Sequence, residues 1–545
     1  MRALKIDKPY VLGAILLVGA ALLSVYGWLT CALMAPLDGT LLDVARNLSE
    51  GRGLTGNVVV TPFLPYYRDV HPPLPYCYYP LVPLVTAVLF RLFGAQAPLV
   101  LVLSVVSYLC AGGALYLLGR RLFGPVAGLA AAGFLLIQPA MIWTTMGSSL
   151  NDPVMVCLLI TSVLCVFLAR ESKRSSTGWL TLAGAAMGVA QYARSAGLLL
   201  YLPMGFLVLS AFQQRRLARL AMFLGASLIV QAPLFVWRVR AFGSLTLTPT
   251  FHLLFLTHAF PGLNAVTQLL PTSPAEVLRL YGGDILRKWV SQVWVHYKYF
   301  FTMTHPLVLT AALLMFSRRL VRPQAVFRNF AVVLYGFLAL QNSWNIWDNR
   351  YLLPAVPFLG LLGCAFLERA VSEMPVQRLG KQTAVAALAL LVSSGTVDFF
   401  YQAAKDRGAL LRSRQARAEL MQFVKDNVRP GAVVMSTDAG DIAWENRNVA
   451  IELPADLETA ERIHRDYIPF DTLILPTPLH LGGLYVYSPE WAELADGQAK
   501  LLGFRPEQML TLSSGDRVVL LRNAEGRSMG YAGTGNKAVT VGRNR

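Results

Sequence analysis

Apolar runs long enough to cross a lipid bilayer recur along this chain and constrain its fold more than any other feature. A spanning helix needs roughly 17 to 25 apolar residues, because in lipid every backbone N–H and C=O must bond within its own segment. Stretches that meet or approach this length lie near residues 10–34, 97–118, 124–146, 153–169, 178–193, 196–212, 220–238, 304–317, 329–342, 351–367 and 383–400, eleven in all. With 55% hydrophobic and only 14% charged residues, and a mean hydropathy of +0.49, the chain lies outside the soluble range. The first apolar run follows the basic MRALKIDKPY. It is longer than a signal-peptide core and has no small-x-small cleavage site, so a retained first helix is expected.

A net charge of +17 could suggest nucleic acid, but the basic residues form short clusters between apolar runs and no single stripe. Their placement follows membrane topology. Arg2, Lys5 and Lys8; Arg120 and Arg121; Arg170, Lys173 and Arg174; Arg215, Arg216 and Arg219; Arg318, Arg319, Arg322 and Arg328; and Arg369, Arg378 and Lys381 all fall on one side of an eleven-helix thread. The positive-inside rule puts that side, and the N-terminus, in the cytoplasm of a multi-pass plasma (inner) membrane protein. An odd count then places the C-terminal region outside. The six cysteines show no metal-spaced pair.

Two further apolar segments fit this pattern as surface or re-entrant pieces. Leu81–Phe93 is too short to span, and Leu245–Leu270 carries His252, His258, Pro and Thr residues. From Tyr401 the composition becomes that of a small α/β unit. It has a helical pattern at Ser413–Asn427 and strand-like runs at Val433–Thr437, Val449–Leu453, Thr472–Leu475 and Arg517–Leu521. The expected organisation is therefore a polytopic α-helical membrane domain over 1–400, with an outer loop at 35–96, then an extracytoplasmic α/β domain over 401–525. A Gly-rich polar tail over 526–545 is expected to be disordered.

Polar groups in or beside a membrane are costly, so those retained are functional candidates. After the first helix comes Asp38-Gly39, then TLLDVARNLSEGRGL, whose apolar residues recur at helical spacing. This segment is expected to form an amphipathic helix lying on the membrane, with Asp43 on its polar face and Asp38 as a cap or a functional acid. The same loop continues through YYRDVHPPLPYCYYPL, with Arg68, Asp69 and His71 before a Pro-Pro pair. This is a rigid, aromatic-flanked turn or a binding segment. Asp152 opens a later span within GSSLNDP, as a cap or a functional acid. Arg194, in YARS, and Arg350, in QNSWNIWDNRYLLP, are positive charges on the side where topology disfavours them. Each could anchor a helix at headgroups or present a guanidinium fork to a phosphate. Arg238, Arg240 and Lys298 are weaker instances of the same kind.

In their order, these features resemble the GT-C glycosyltransferases, particularly the bacterial branch similar to protein O-mannosyltransferases and the lipid A aminoarabinose transferase. The elements that carry the resemblance are Asp38, ARNLSEGRGL, HPPL with LVPLVTAVLFRLFG, NDP, YARSAGLLLYLP and NRYLLPAVPFLGLL, over roughly residues 10–370. The resemblance implies a GT-C-like fold and an inverting transfer, at the outer membrane face, of a sugar from a polyprenyl-phosphate donor. The acceptor would be a lipid, a polysaccharide or a protein, with membrane lipids as surroundings and no nucleic acid. Asp38 matches the position of the catalytic base, while Arg194 and Arg350 would stabilise the departing phosphate. Asp152 matches a second acidic position that could hold a divalent cation, magnesium or manganese, together with Asp38. The chain departs from the pattern where relatives carry an acidic pair at Asp38-Gly39, and where His71 replaces a more usual basic residue. Asp43 and Asp69 are possible partners or substitutes for Asp38. Asp438, Asp441 and Glu445 lie near a strand end of the C-terminal unit, without a Gly-rich phosphate loop or nucleophile motif.

A transporter or lipid flippase is the alternative reading, but such proteins show two related halves with broken helices at matching positions. Here the unusual residues gather at one face beside a large loop. A reporter fused at residue 405 is expected to signal an outer location; a cytoplasmic signal would overturn the eleven-helix thread.

Overall fold

A computed structural model of the 545-residue chain describes all residues except 1–8, 31–38, 62–63, 65–78, 148–149, 173, 195–199, 244–272, 343–348, 478–486, 500, 502 and 524–545. The tail from 526 therefore lies outside the described residues. The chain divides into two compact units: Met1–Leu33, Val100–Phe235 and Arg287–Arg407 form the first, and Met34–Leu99, Val236–Leu286 and Gly408–Arg545 the second.

The first unit is helical. A helix lies in each of the eleven apolar stretches, as in Pro9–Leu29, Asn151–Glu171 and Val356–Glu373. Among the described residues, seven helices are long and apolar enough to cross a membrane, or eight if the pair Pro125–Leu136 and Pro139–Met146, bent by 52°, forms one broken span. The bend falls at Gln138-Pro139, where proline lacks the N–H that would continue the helix. The remaining helices are shorter or less apolar, and some are packed closely against their neighbours. Ser176–Ala193 is such a case: a Cβ on Gly188 would stand 2.8 Å from the Ser227 carbonyl, and one on Gly184 would collide with the Phe223 carbonyl. Small residues four apart thus let this helix and Arg216–Phe242 approach backbone to backbone, the usual way membrane helices associate. Gly119 and Gly128 do the same for Leu101–Leu122 and Pro125–Leu136, where a Cβ on Gly119 would lie 2.6 Å from the Gly128 Cα. Helices Asn151–Glu171 and Ser176–Ala193 form an antiparallel hairpin. Its register is held by Ser162 Oγ donating to the Ala183 carbonyl at 2.9 Å.

The second unit is built on a six-stranded sheet of order β1-β3-β2-β4-β6-β5. Its strands are β1 (Val58–Val59), β2 (Val433–Ser436), β3 (Val449–Glu452), β4 (Thr472–Thr477), β5 (Phe504–Thr511) and β6 (Arg517–Asn523). The first four in that order run parallel, and β6 pairs antiparallel with β4 and β5. Four strands match the runs expected from sequence. β5 escapes notice because FRPEQMLT lies at an edge with mostly exposed residues, so no clean apolar alternation marks it. β1 escapes because two residues carry no periodicity. Trp491 is fully buried beneath the sheet, its Nε1 donating to the Ala455 carbonyl at 3.3 Å. The helix Arg378–Asn427 continues without a break through residue 401, where the composition changes.

The helix Gly39–Ser49 corrects an expectation. Its polar face is expected to stay free while the helix lies on the membrane, but Asp43, Arg46 and Asn47 are all buried in protein, as is every residue from Gly39 to Asn47. Both oxygens of Asp43 are engaged. Arg46 Nη2 donates to Oδ1 at 2.5 Å, Asn57 Nδ2 to Oδ1 at 2.9 Å and the Asn57 backbone N–H to Oδ2 at 2.5 Å. Arg46 donates in turn to the carbonyls of Ala443 (2.9 Å) and Trp444 (2.5 Å), and lies 5.0 Å from the Trp444 ring centroid. The Asn57 carbonyl accepts from Ala450 N–H of β3 at 2.8 Å. An alternation of apolar and polar residues specifies two faces, but a partner surface that satisfies each charge can bury both. Burial pushes the Asp43 carboxyl above the usual carboxylate range, against the Asn57 and Arg46 contacts that hold it down.

Removing one member of a buried pair leaves the other charge uncompensated, at about 3–5 kcal/mol. Asp43→Ala is therefore expected to lower the melting temperature of the detergent-purified protein more than the double variant Asp43→Ala/Arg46→Met does. Equal or larger loss in the double variant would show that the pair does not act as a unit.

Candidate active site

Within the first unit, the open end of the hairpin formed by Asn151–Glu171 and Ser176–Ala193 carries two charges drawn out of solvent. Asp152 sits in the first turn of its helix with no exposure, and Arg194, at the end of the other helix, is 4% exposed. They form an ion pair. The Arg194 guanidinium also lies 4.3 Å from the centroid of the Tyr351 ring. Neither residue therefore follows its bland reading, since Asp152 faces a guanidinium where a helix cap would bond backbone, and Arg194 is enclosed where a headgroup anchor would be exposed. In a medium of low effective dielectric such a pair is strongly coupled, and its guanidinium is held in one orientation. The Asp152 Oδ2 and Asn151 Oδ1 atoms accept no hydrogen bond, and the buried Gln191 Nε2 at the same end donates none.

The short connections of the bundle bring these residues together. Pro153 at the third helical position starts the helix without disturbing its hydrogen bonds. The antiparallel pairing of the two helices then sets Arg194 opposite Asp152. Tyr351 follows Arg350 in the 3-10 segment Asn349–Ala355, which precedes Val356–Glu373. A polar network steadies the neighbouring helices: Tyr192 donates to the Val230 carbonyl at 2.9 Å, and Gln231 Nε2 donates to Tyr201 at 2.5 Å and to Ser227 Oγ at 2.9 Å.

The other candidates separate. Asp38, Arg68, Asp69, His71, His252 and His258 lie outside the described residues, as do the side chains of Arg350 and Lys298. Asp43 is held in the second unit by the contacts given above. Arg238 is buried and Arg240 exposed. Asp441 pairs with Arg417, the Asp438 carboxylate accepts from Thr437 Oγ1 at 3.0 Å, and Glu445 is exposed. Burial pushes the Asp438 carboxyl upward. Among the described residues no group of three His, Cys, Asp or Glu side chains could hold a metal ion, and the carboxylate of Asp152 already meets a guanidinium.

Reasoning from sequence missed Tyr351, Gln191 and Arg46. A signal existed for Arg46, three residues after Asp43 on a helix, where an acid and a base share a face. Gln191 precedes Arg194 by three residues on the same helix end. Tyr351 offered only its adjacency to Arg350.

Comparison with known proteins bears on the fold and on the middle of the chain. The sequence family of dolichyl-phosphate-mannose-protein mannosyltransferases matches residues 70–237, which include Asp152 and Arg194. No curated protein sequence matches the chain. Among solved structures, ArnT from Cupriavidus metallidurans bound to undecaprenyl phosphate is similar, with a TM-score of 0.56 at 15% identity over 93% of this chain and 98% of that one. The oligosaccharyltransferase of Archaeoglobus fulgidus has a TM-score of 0.53 at 12% identity, over 90% of this chain and 73% of that one. The mycobacterial arabinofuranosyltransferase AftD has 0.54 at 14%, over 92% of this chain and 41% of that one. The chain is a multi-pass membrane protein that shares its fold with these transferases, and its residues 70–237 match the mannosyltransferase family.

Proposed function

We propose that this protein transfers a sugar from a polyprenyl-phosphate donor to an acceptor hydroxyl or amine at the outer face of the plasma membrane, inverting the anomeric carbon. The observation that carries the reading is the enclosed Asp152–Arg194 pair with Tyr351, a fixed guanidinium in a dry setting. When the glycosidic bond breaks, negative charge grows on the phosphate oxygen that leaves with the bonding electrons. A preorganised guanidinium stabilises that charge without reorganising at the moment of reaction. Asp152 orients it, and Arg350 is proposed as a second donor to the phosphate.

Asp38 is the proposed base. It takes the proton of the acceptor as the acceptor oxygen or nitrogen attacks the anomeric carbon, and the polyprenyl phosphate departs from the opposite side. Arg68, Asp69 and His71 belong to the same outer loop and are proposed to line the acceptor or donor path. Asp43, with both oxygens occupied, is assigned to structure. A divalent cation has no described ligand set here, and no step is routed through one.

The proposed topology has eleven spans, a cytoplasmic N-terminus and an extracytoplasmic α/β unit. Leu81–Phe93 suits an interfacial position, because Leu84, Val88, Leu92 and Phe93 form an exposed apolar stripe along one face. The α/β unit is proposed to bind the acceptor or to brace the loop.

Asp38→Asn is expected to abolish consumption of polyprenyl-phosphate sugars, extracted from the host strain and followed by mass spectrometry, in membranes with unchanged protein abundance. Arg194→Ala is expected to lower the rate roughly 100- to 1000-fold, and Arg194→Lys less, because it keeps the charge and loses the fork. Full activity in Asp38→Asn would remove Asp38 from the mechanism.

A further inference from the structure

Unpartnered polar atoms buried within the helical unit demand an explanation, because a donor or acceptor enclosed without a partner has given up water and gained nothing in return. Three such atoms belong to one end of the hairpin whose register Ser162 and Ala183 hold. Gln191 is 5% exposed and its Nε2 has no partner; Asp152 has no exposure and its Oδ2 accepts nothing; Asn151 Oδ1 is also enclosed and unbonded. The contrast with the next helix is direct. Gln231 there has an equally buried amide, and it donates to both Tyr201 and Ser227. A membrane protein that satisfies one glutamine through two neighbours leaves the other open beside its only enclosed Asp–Arg pair among the described residues of this unit.

The chemistry of the open atoms selects their ligand. Gln191 offers an N–H donor, while Asp152 Oδ2 and Asn151 Oδ1 offer acceptors. A phosphate can only accept, and two oxygen acceptors beside it would repel. A hydroxyl both donates and accepts, and it satisfies a donor and an acceptor together. Resting on the functional reading above, we propose that Gln191, with Asn151 and the free oxygen of Asp152, binds a hydroxyl of the donor's sugar ring, and that Gln191 is a specificity-determining residue. Arg194 then faces the phosphate while its partner Asp152 reaches the sugar, which ties sugar identity to the orientation of the guanidinium.

The test uses the full chain in detergent, with polyprenyl-phosphate sugar from the host strain as substrate and sugar-free undecaprenyl phosphate as competing inhibitor. Gln191→Leu is expected to raise KM for the sugar-bearing donor about 3- to 12-fold, the value of one hydrogen bond. The inhibition constant of undecaprenyl phosphate should stay within about twofold, since that molecule carries no ring hydroxyl. Asn151→Leu is expected to shift KM the same way, and it carries the test if Gln191→Leu does not accumulate. An unchanged KM would mean that water alone fills the position, and would overturn the proposal. Equal weakening of sugar-free undecaprenyl phosphate would assign Gln191 to the phosphate and overturn it too. If the unaltered protein consumes no polyprenyl-linked sugar, the functional reading itself fails, which separates the two.

Discussion

An ion pair removed from water sets the terms for the helical unit. Asp152 and Arg194 are each expensive to bury alone, so the hairpin that carries them must close in a single register or leave a charge stranded. That demand explains several quieter features. Gly184 and Gly188 allow the second helix of the hairpin to seat against its neighbour, and the Ser162 contact prevents sliding. Tyr351 covers the guanidinium with an aromatic face, which accepts a cation without supplying a competing carboxylate. The pair is thus restrained in position by packing that has no chemistry of its own.

The second unit solves the same problem differently. Asp43 and Arg46 are also enclosed, but every oxygen of the acid is engaged and the guanidinium binds two carbonyls. The satisfied pair reads as architecture. It joins the helix Gly39–Ser49 to Asn57 beside β1 and to the helix Ala439–Asn446, and residues near 58 and near 440 share one core. The open Asp152 oxygen and the open Gln191 amide mark the other pair as a place where something binds. The difference between the two pairs lies in what remains unbonded, since both are buried acid–guanidinium contacts.

Much of the fold was legible in order. Each apolar stretch contains a helix, since a backbone in lipid has few other ways to satisfy its groups, and four of the six strands fell where β-branched runs predicted them. The missed strands show the limit. Val58–Val59 is too short to have a period, and FRPEQMLT reads as a polar edge. The helix after Asp38 was recognised, but its environment was misjudged, because a polar face looks the same in sequence whether water or a partner lies against it. Asp152 and Arg194 were singled out separately from their position and sign. Their meeting was not, since they stand forty-two positions apart in the chain.

What the amino-acid order determined by itself was the class of solvent and where the apolar helices fall along the chain, because hydropathy acts locally and adds along the chain. Which acid meets which guanidinium, and which buried amide is left open, was decided by tertiary packing. Those outcomes depend on the register and close approach of helices distant in sequence, and register is a cooperative property that no single segment encodes.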